Sequence, residues 1–132
     1  MKIPELISYF FIGYIDFDGR CARPRYWAIM PVYLVIFIGM VFLSVMFEGV
    51  LRGLIFWGFI LATLVPFTSI TVKRLHDFNA SGYWAIGLIP ASIFGGIWII
   101  LLVLILIGLI PATLGTNRFG DDARGGNMSV FD

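Results

Sequence analysis

Residues 83–110 read YWAIGLIPASIFGGIWIILLVLILIGLI, 28 positions without a charged side chain. A helix rises about 1.5 Å per residue, so a straight one would reach about 42 Å, against a hydrocarbon core about 30 Å thick. That is too long for one upright crossing and too short for two. Pro90 removes a helical N–H and predicts a kink, with residues 81–89 near the interface and a crossing over 91–110. The competing reading is a re-entrant hairpin that turns at Gly95-Gly96. The choice sets the side on which the C-terminus lies.

Working outward, no residue from 26 to 47 or from 53 to 72 carries a formal charge. Each stretch matches the roughly 20 helical residues that a crossing needs, and a helix bonds its own backbone groups where no water can. Transmembrane helices are therefore expected over 27–47 and 53–72, joined by the short link Glu48-Gly49-Val50-Leu51-Arg52. Further upstream, Ile3, Leu6, Ile7, Phe10, Phe11 and Tyr14 recur at helical spacing, with Lys2, Glu5 and Ser8 on the other side. This predicts an amphipathic helix over 1–15, lying in the membrane surface or packed on the bundle. Pro4, Glu5, Asp16 and Asp18 argue against a signal peptide.

Composition agrees with these spans. Hydrophobic residues make up 60% of the 132 positions and charged residues 13%, and mean hydropathy is +0.97. A soluble domain of this size could not cover so much apolar surface, which excludes a soluble enzyme. A formal charge of +1 gives no dense basic patch for nucleic acid. Cys21 is the single cysteine, so neither an intramolecular disulfide nor a thiolate zinc site can form. The chain reads as one all-α integral membrane domain over 1–132. It has an N-terminal amphipathic helix, two transmembrane helices, a third that is long and kinked or re-entrant (83–110), and a polar tail (111–132).

Lys2, Arg20, Arg23 and Arg25 precede the first span and Lys73 and Arg74 follow the second, while only Arg52 lies between them. Cytoplasmic loops hold the excess of Lys and Arg, which places the N-terminus and the 73–82 loop in the cytoplasm. With three crossings the tail would face outward.

Three polar clusters carry what chemistry there is. The first, DFDGRCARPRYW at 16–27, offers arginines that anchor a span or attract anionic headgroups, and Asp16 or Asp18 as partners for them. The second, KRLHDFNASG at 73–82, holds the only histidine. His76 and Asp77 are neighbours and point apart on a helix, so they make no catalytic dyad, and two ligands fall short of a zinc site. Asp77 is better suited to bonding Arg74 or capping the next helix. The third, GTNRFGDD at 115–122, reads as a shaped turn. Tyr26, Trp27, Tyr83 and Trp84 suit the aromatic belt, and the spans hold no charge of the kind that marks an ion pathway.

Together, in this order, the clusters resemble a bacterial inner-membrane family, domain of unknown function 805, over nearly the whole chain. Phe17-Asp18-Gly19-Arg20-Cys21-Ala22-Arg23 with Tyr26-Trp27 is similar to its first motif. Lys73-Arg74-Leu75-His76-Asp77 with Ser81-Gly82-Tyr83-Trp84 is similar to its second, and Gly115 to Asp122 to its third. Arg25 stands where members usually carry Glu, and Ala123 where they carry Pro. The resemblance implies an inner-membrane location but no activity.

The functional expectation is a non-enzymatic accessory or oligomerising membrane component without cofactor or metal. It would dock anionic lipid, a membrane-protein partner or further copies through Arg20, Arg23, Arg74, His76, Asp77, Asn117 and Arg118. An oligomeric channel and a lipid-headgroup enzyme using His76 are the alternatives.

Overall fold

The computed structural model describes residues 15–124 together with Pro4, Glu5 and Ser8. The rest of the amphipathic helix read over 1–15, and the tail beyond Arg124, lie outside the described residues. Those described fold as helices: α1 (Arg23–Val45), α2 (Gly49–Asp77), a 3-10 helix (Gly82–Gly87) and α3 (Leu88–Leu109). Among them β pairing is limited to one isolated bridge, Asn117 with Gly120.

Helix α1 starts four residues before the expected 27, with Pro24 in its first turn, where the missing N–H has no intrahelical role. It meets α2 through Gly49, whose φ of 59° opens the tight connection. The two helices pack through aromatic rings. Tyr33 lies 4.9 Å from Phe67 and 6.4 Å from Phe59, ring centre to ring centre. The Tyr33 and Thr63 hydroxyls are 3.3 Å apart, and Thr63 also donates back to Phe59 O at 2.8 Å. Elsewhere the flanks are bare: Val35, Phe42, Leu54 and Leu61 are exposed. Both α1 and α2 are long and apolar enough to cross a membrane. Uncovered apolar flanks are what such a helix shows when its solvent is lipid.

Helix α2 runs five residues past the uncharged stretch 53–72, and all of 69–77 is buried. Its charged end is therefore interior, which the charge count alone did not indicate.

The third region departs from the expected kinked crossing. A straight 22-residue helix would hold its ends about 33 Å apart. Instead both ends attach to the last turns of α2. Ala85 and Ile107 belong to one buried cluster with Val72 and Leu75, and Thr113 N donates to Asp77 O at 2.9 Å. The chain leaves the end of α2, turns and comes back. The turn is at Gly96, with φ 59° and ψ −155°, a backbone open in practice to glycine alone. Pro90 does not make the break, because it sits in the first turn of α3, where no helical hydrogen bond is lost. Residues 111–124 accordingly lie at the same end of the molecule as the 73–82 loop, not at the opposite end that three crossings would require.

Candidate functional site: three motifs joined around Asp77

The return of α3 brings all three polar clusters together, with Asp77 at the centre. Its side chain is fully buried and accepts from two arginines: Arg20 Nε donates to Oδ1 at 3.1 Å and Arg74 Nη1 to Oδ2. Arg74 lies one turn back on the same helix, so that pair follows from helical spacing. Arg20 comes from the extended segment before α1, which is tied down where Cys21 N donates to Lys73 O at 2.9 Å.

Arg20 also joins the tail. Its guanidinium donates to Asp77 O at 3.2 Å, Thr113 O at 2.7 Å and Gly115 O at 2.6 Å. Thr113 answers with its own hydroxyl on Asp77 O at 3.2 Å. One side chain from the first motif thus fastens the second motif to the third. A guanidinium suits this task, with five donors in a rigid fork and a charge it does not lose.

A second group holds the end of α3, where the last carbonyls of a helix lack partners. Arg23 donates to the carbonyls of Leu109 and Ile110, and Arg74 to that of Ile110. Trp27 Nε1 reaches Gly108 O at 3.1 Å, and Tyr26 Oη reaches Leu104 O at 3.0 Å. Glycine is needed at 108, because a Cβ there would stand 2.7 Å from the Trp27 ring and 2.9 Å from the Tyr26 ring. Cations at a helix C-terminus also oppose its negative dipole end. Among the described residues Arg74 Nε finds no acceptor, and its guanidinium lies 5.8 Å from the Phe78 ring centre.

His76 faces a different neighbour set from Asp77, as expected of adjacent helical positions. Its Nδ1 is 3.1 Å from Gly19 O and donates to it, which fixes the proton on that nitrogen. Phe119 stacks on the ring at 3.8 Å, with the planes 4° apart. Asn117 Nδ2 donates to His76 O at 2.9 Å, and Arg118 Nη2 to Asn79 O at 3.0 Å.

Asp16 of the first motif pairs differently from the expectation. Asp16 bonds Lys73 Nζ at 2.8 Å, not one of its own arginines. That bond, with the Asp18 N–H, holds the Asp16 carboxyl below its ordinary value. Cys21 is buried, and burial pushes its thiol up to about 11, which keeps it protonated at neutral pH. No group of three His, Cys, Asp or Glu among the described residues could hold a metal.

Of the seven residues expected to dock lipid or partner, Arg20, Arg74, His76 and Asp77 are buried, Asn117 is half-buried, and Arg23 and Arg118 are exposed. Of the four aromatic anchors, Tyr83 and Trp84 are exposed and Trp27 is 39% exposed. Tyr26 is buried against α3 and is no surface anchor. Sequence reasoning passed over Thr113 and Gly108. Thr113 carries no recognisable motif, but an isolated glycine in the apolar run 97–110 was a usable sign of close packing.

The family described as "Protein of unknown function (DUF805)" matches residues 14–121, which takes in the first two motifs and all of the third but Asp122. The chain belongs to that family. Among DUF805 relatives, "Inner membrane protein YhaI" of Escherichia coli (strain K12) is 30% identical over 117 residues, covering 87% of this chain and 92% of its own. "Inner membrane protein YhaH" of the same organism is 31% identical over 120 residues, covering 85% and 90%. "Uncharacterized protein YiiR" is 30% identical over 129 residues, covering 83% and 86%. No solved structure matches the chain.

Proposed function

We propose that this DUF805 protein is a non-enzymatic accessory component of the bacterial cytoplasmic membrane. It crosses twice, through α1 and α2, and dips back once through the hairpin of α3. The N-terminal motif, the 73–82 loop and the tail form one cytoplasmic head that docks anionic lipid, a membrane-protein partner or further copies of the chain. The observation that carries this reading is the use of polar groups around Asp77: the arginines and Asn117 bond the chain's own carbonyls and carboxylate. Those groups hold an architecture together. His76 as a base for headgroup chemistry is disfavoured by its bond to Gly19 and its stack on Phe119. The relatives named inner membrane proteins support the location.

Paired reporters fused after Asp132, one active in the cytoplasm and one outside, test the architecture. Activity of the cytoplasmic reporter alone is expected, and an external C-terminus would sink the two-crossing reading. The role is tested by comparing the lipids and proteins retained on the purified chain with those on an Arg74→Met, Asp77→Asn variant. Retention should fall as the head loosens. Unchanged retention would remove the docking role, and lost headgroup turnover in a folded His76→Ala variant would favour the enzyme.

A further inference from the structure

We propose that Arg23 and Trp27 form a seat for one anionic phospholipid headgroup, with an acyl chain lying along the exposed flank of α3. Charge around the meeting helix ends is out of balance. Asp77 supplies one negative charge, and the C-termini of α2 and α3 supply about half a charge each. Three guanidinium groups stand against them in series: Arg20 and Arg74 share the Asp77 carboxylate, and Arg74 and Arg23 share the Ile110 carbonyl. An excess of about one positive charge is left. Arg20 and Arg74 are buried, so it is Arg23 that offers this charge to the surroundings.

Arg23 takes part in none of the ion pairs among the described residues. Its acceptors are the carbonyls of Leu109 and Ile110, which position the guanidinium without neutralising it. One turn along α1, Trp27 is fixed by its bond to Gly108 O and keeps 39% of its surface exposed. A guanidinium can present two N–H groups to the oxygens of a phosphodiester, and an indole belongs at headgroup depth. The apolar stripe beginning beside this seat decides between a lipid and free phosphate. Leu109, Leu106 and Leu102, spaced by three and four, are 56%, 51% and 55% exposed. The reading rests on the proposed membrane placement only in setting this rim at the cytoplasmic interface.

Native mass spectrometry of the full chain in detergent, with phosphatidylglycerol and phosphatidylcholine supplied equally, tests the seat. The unmodified protein should retain phosphatidylglycerol about fivefold better, from one basic contact. Arg23→Gln should abolish that preference. Arg52→Gln, which removes an equal charge from the exposed start of α2, should keep it. Trp27→Phe should weaken retention of both lipids and leave their ratio. No preference in the unmodified chain, equal loss in the two arginine variants, or displacement by excess inorganic phosphate would each overturn the proposal. If Arg23→Gln does not fold, Arg23→Lys keeps the charge and should keep the preference, and its loss in a folded Lys variant would also refute the seat. Reporter fusions that contradict the cytoplasmic head would leave this measurement in detergent unaffected, so the two readings fail separately.

Discussion

Asn117 Nδ2 donates to the carbonyl of His76 at 2.9 Å, across 41 positions of sequence and two arms of the hairpin. The same amide nitrogen reaches Thr113 Oγ1 at 2.9 Å, while Oδ1 accepts from Phe119 N at 2.9 Å. All three bonds need an amide, with its donor on one side and acceptor on the other. Asn117→Asp turns the donor face into a second acceptor against a carbonyl, and should cost about 1–3 kcal/mol. Asn117→Ala should cost less, because it leaves unpaired groups without adding repulsion. Thermal unfolding in detergent should rank them so, with faster amide exchange at Phe119 in both variants. Equal melting of all three proteins would mean that the tail does not depend on this side chain.

The buried arginines and Asp77 predict an order of severity that simple counting of hydrogen bonds would miss. Arg20 makes more bonds than Asp77 accepts from it, since it also serves Thr113 and Gly115. Yet Arg20→Met leaves Arg74 and Asp77 as a neutral pair, whereas Asp77→Ala leaves two buried guanidinium groups with no carboxylate. Unpairing a buried charge costs about 3–5 kcal/mol, and losing the bonds to carbonyls about 1–3 kcal/mol each at most. Asp77→Ala should therefore be the more damaging, and Arg20→Met added to it should restore part of the stability. A double variant worse than Asp77→Ala alone would contradict the charge argument.

Charge placement alone made the two long helices legible, because uncharged runs at 26–47 and 53–72 leave little else for the backbone to do in lipid. The pair Arg74 and Asp77 was also within reach, through helical spacing. The partnership of Arg20 with Asp77 was not, because it depends on where the ends of separate segments meet, 57 positions apart. Asp16 shows the same limit: five basic residues lie in its own and the next cluster, and only the packing of the first motif along α2 selects Lys73. Pro90 and Gly96 both signal a break in a helix, and their types do not say which one turns the chain. What decides is that Ala85 and Ile107 must both reach Val72 and Leu75.

The Asp16 and Lys73 pair predicts a small dependence on pH with a definite sign. The hydrogen bond from Lys73, aided by the Asp18 N–H, holds the Asp16 carboxyl below its ordinary 3.8. A carboxyl lowered in the folded state stabilises it above that ordinary value, and the contribution is lost as pH falls through the lower folded one. With the Asp16 side chain 55% exposed, solvent screening limits the effect to under about 1 kcal/mol. At neutral pH the unmodified protein should melt about 1–3 °C above Asp16→Asn. The gap should close in acid below the ordinary aspartate range. A gap that stays constant into strong acid would assign the difference to packing.

Gly96 tests the hairpin most directly, since its φ of 59° and ψ of −155° suit no other residue. A Cβ there would meet nothing within 4 Å, so any penalty for Gly96→Ala is in the backbone and not in crowding. That penalty is about 1–3 kcal/mol, and a straight α3 escapes it at the cost of separating Ile107 and Thr113 from the end of α2. The bonds made by Arg20, Arg23 and Trp27 oppose the straight form. Gly96→Ala alone should keep the hairpin at reduced stability. Combined with Arg20→Met it should let a fraction of chains run straight, with the C-terminus on the far side, measurable by the paired reporters after Asp132. A C-terminus that stays put in the double variant, in a protein as stable as the original, would show that neither the turn at Gly96 nor the Arg20 contacts determine the path of the chain.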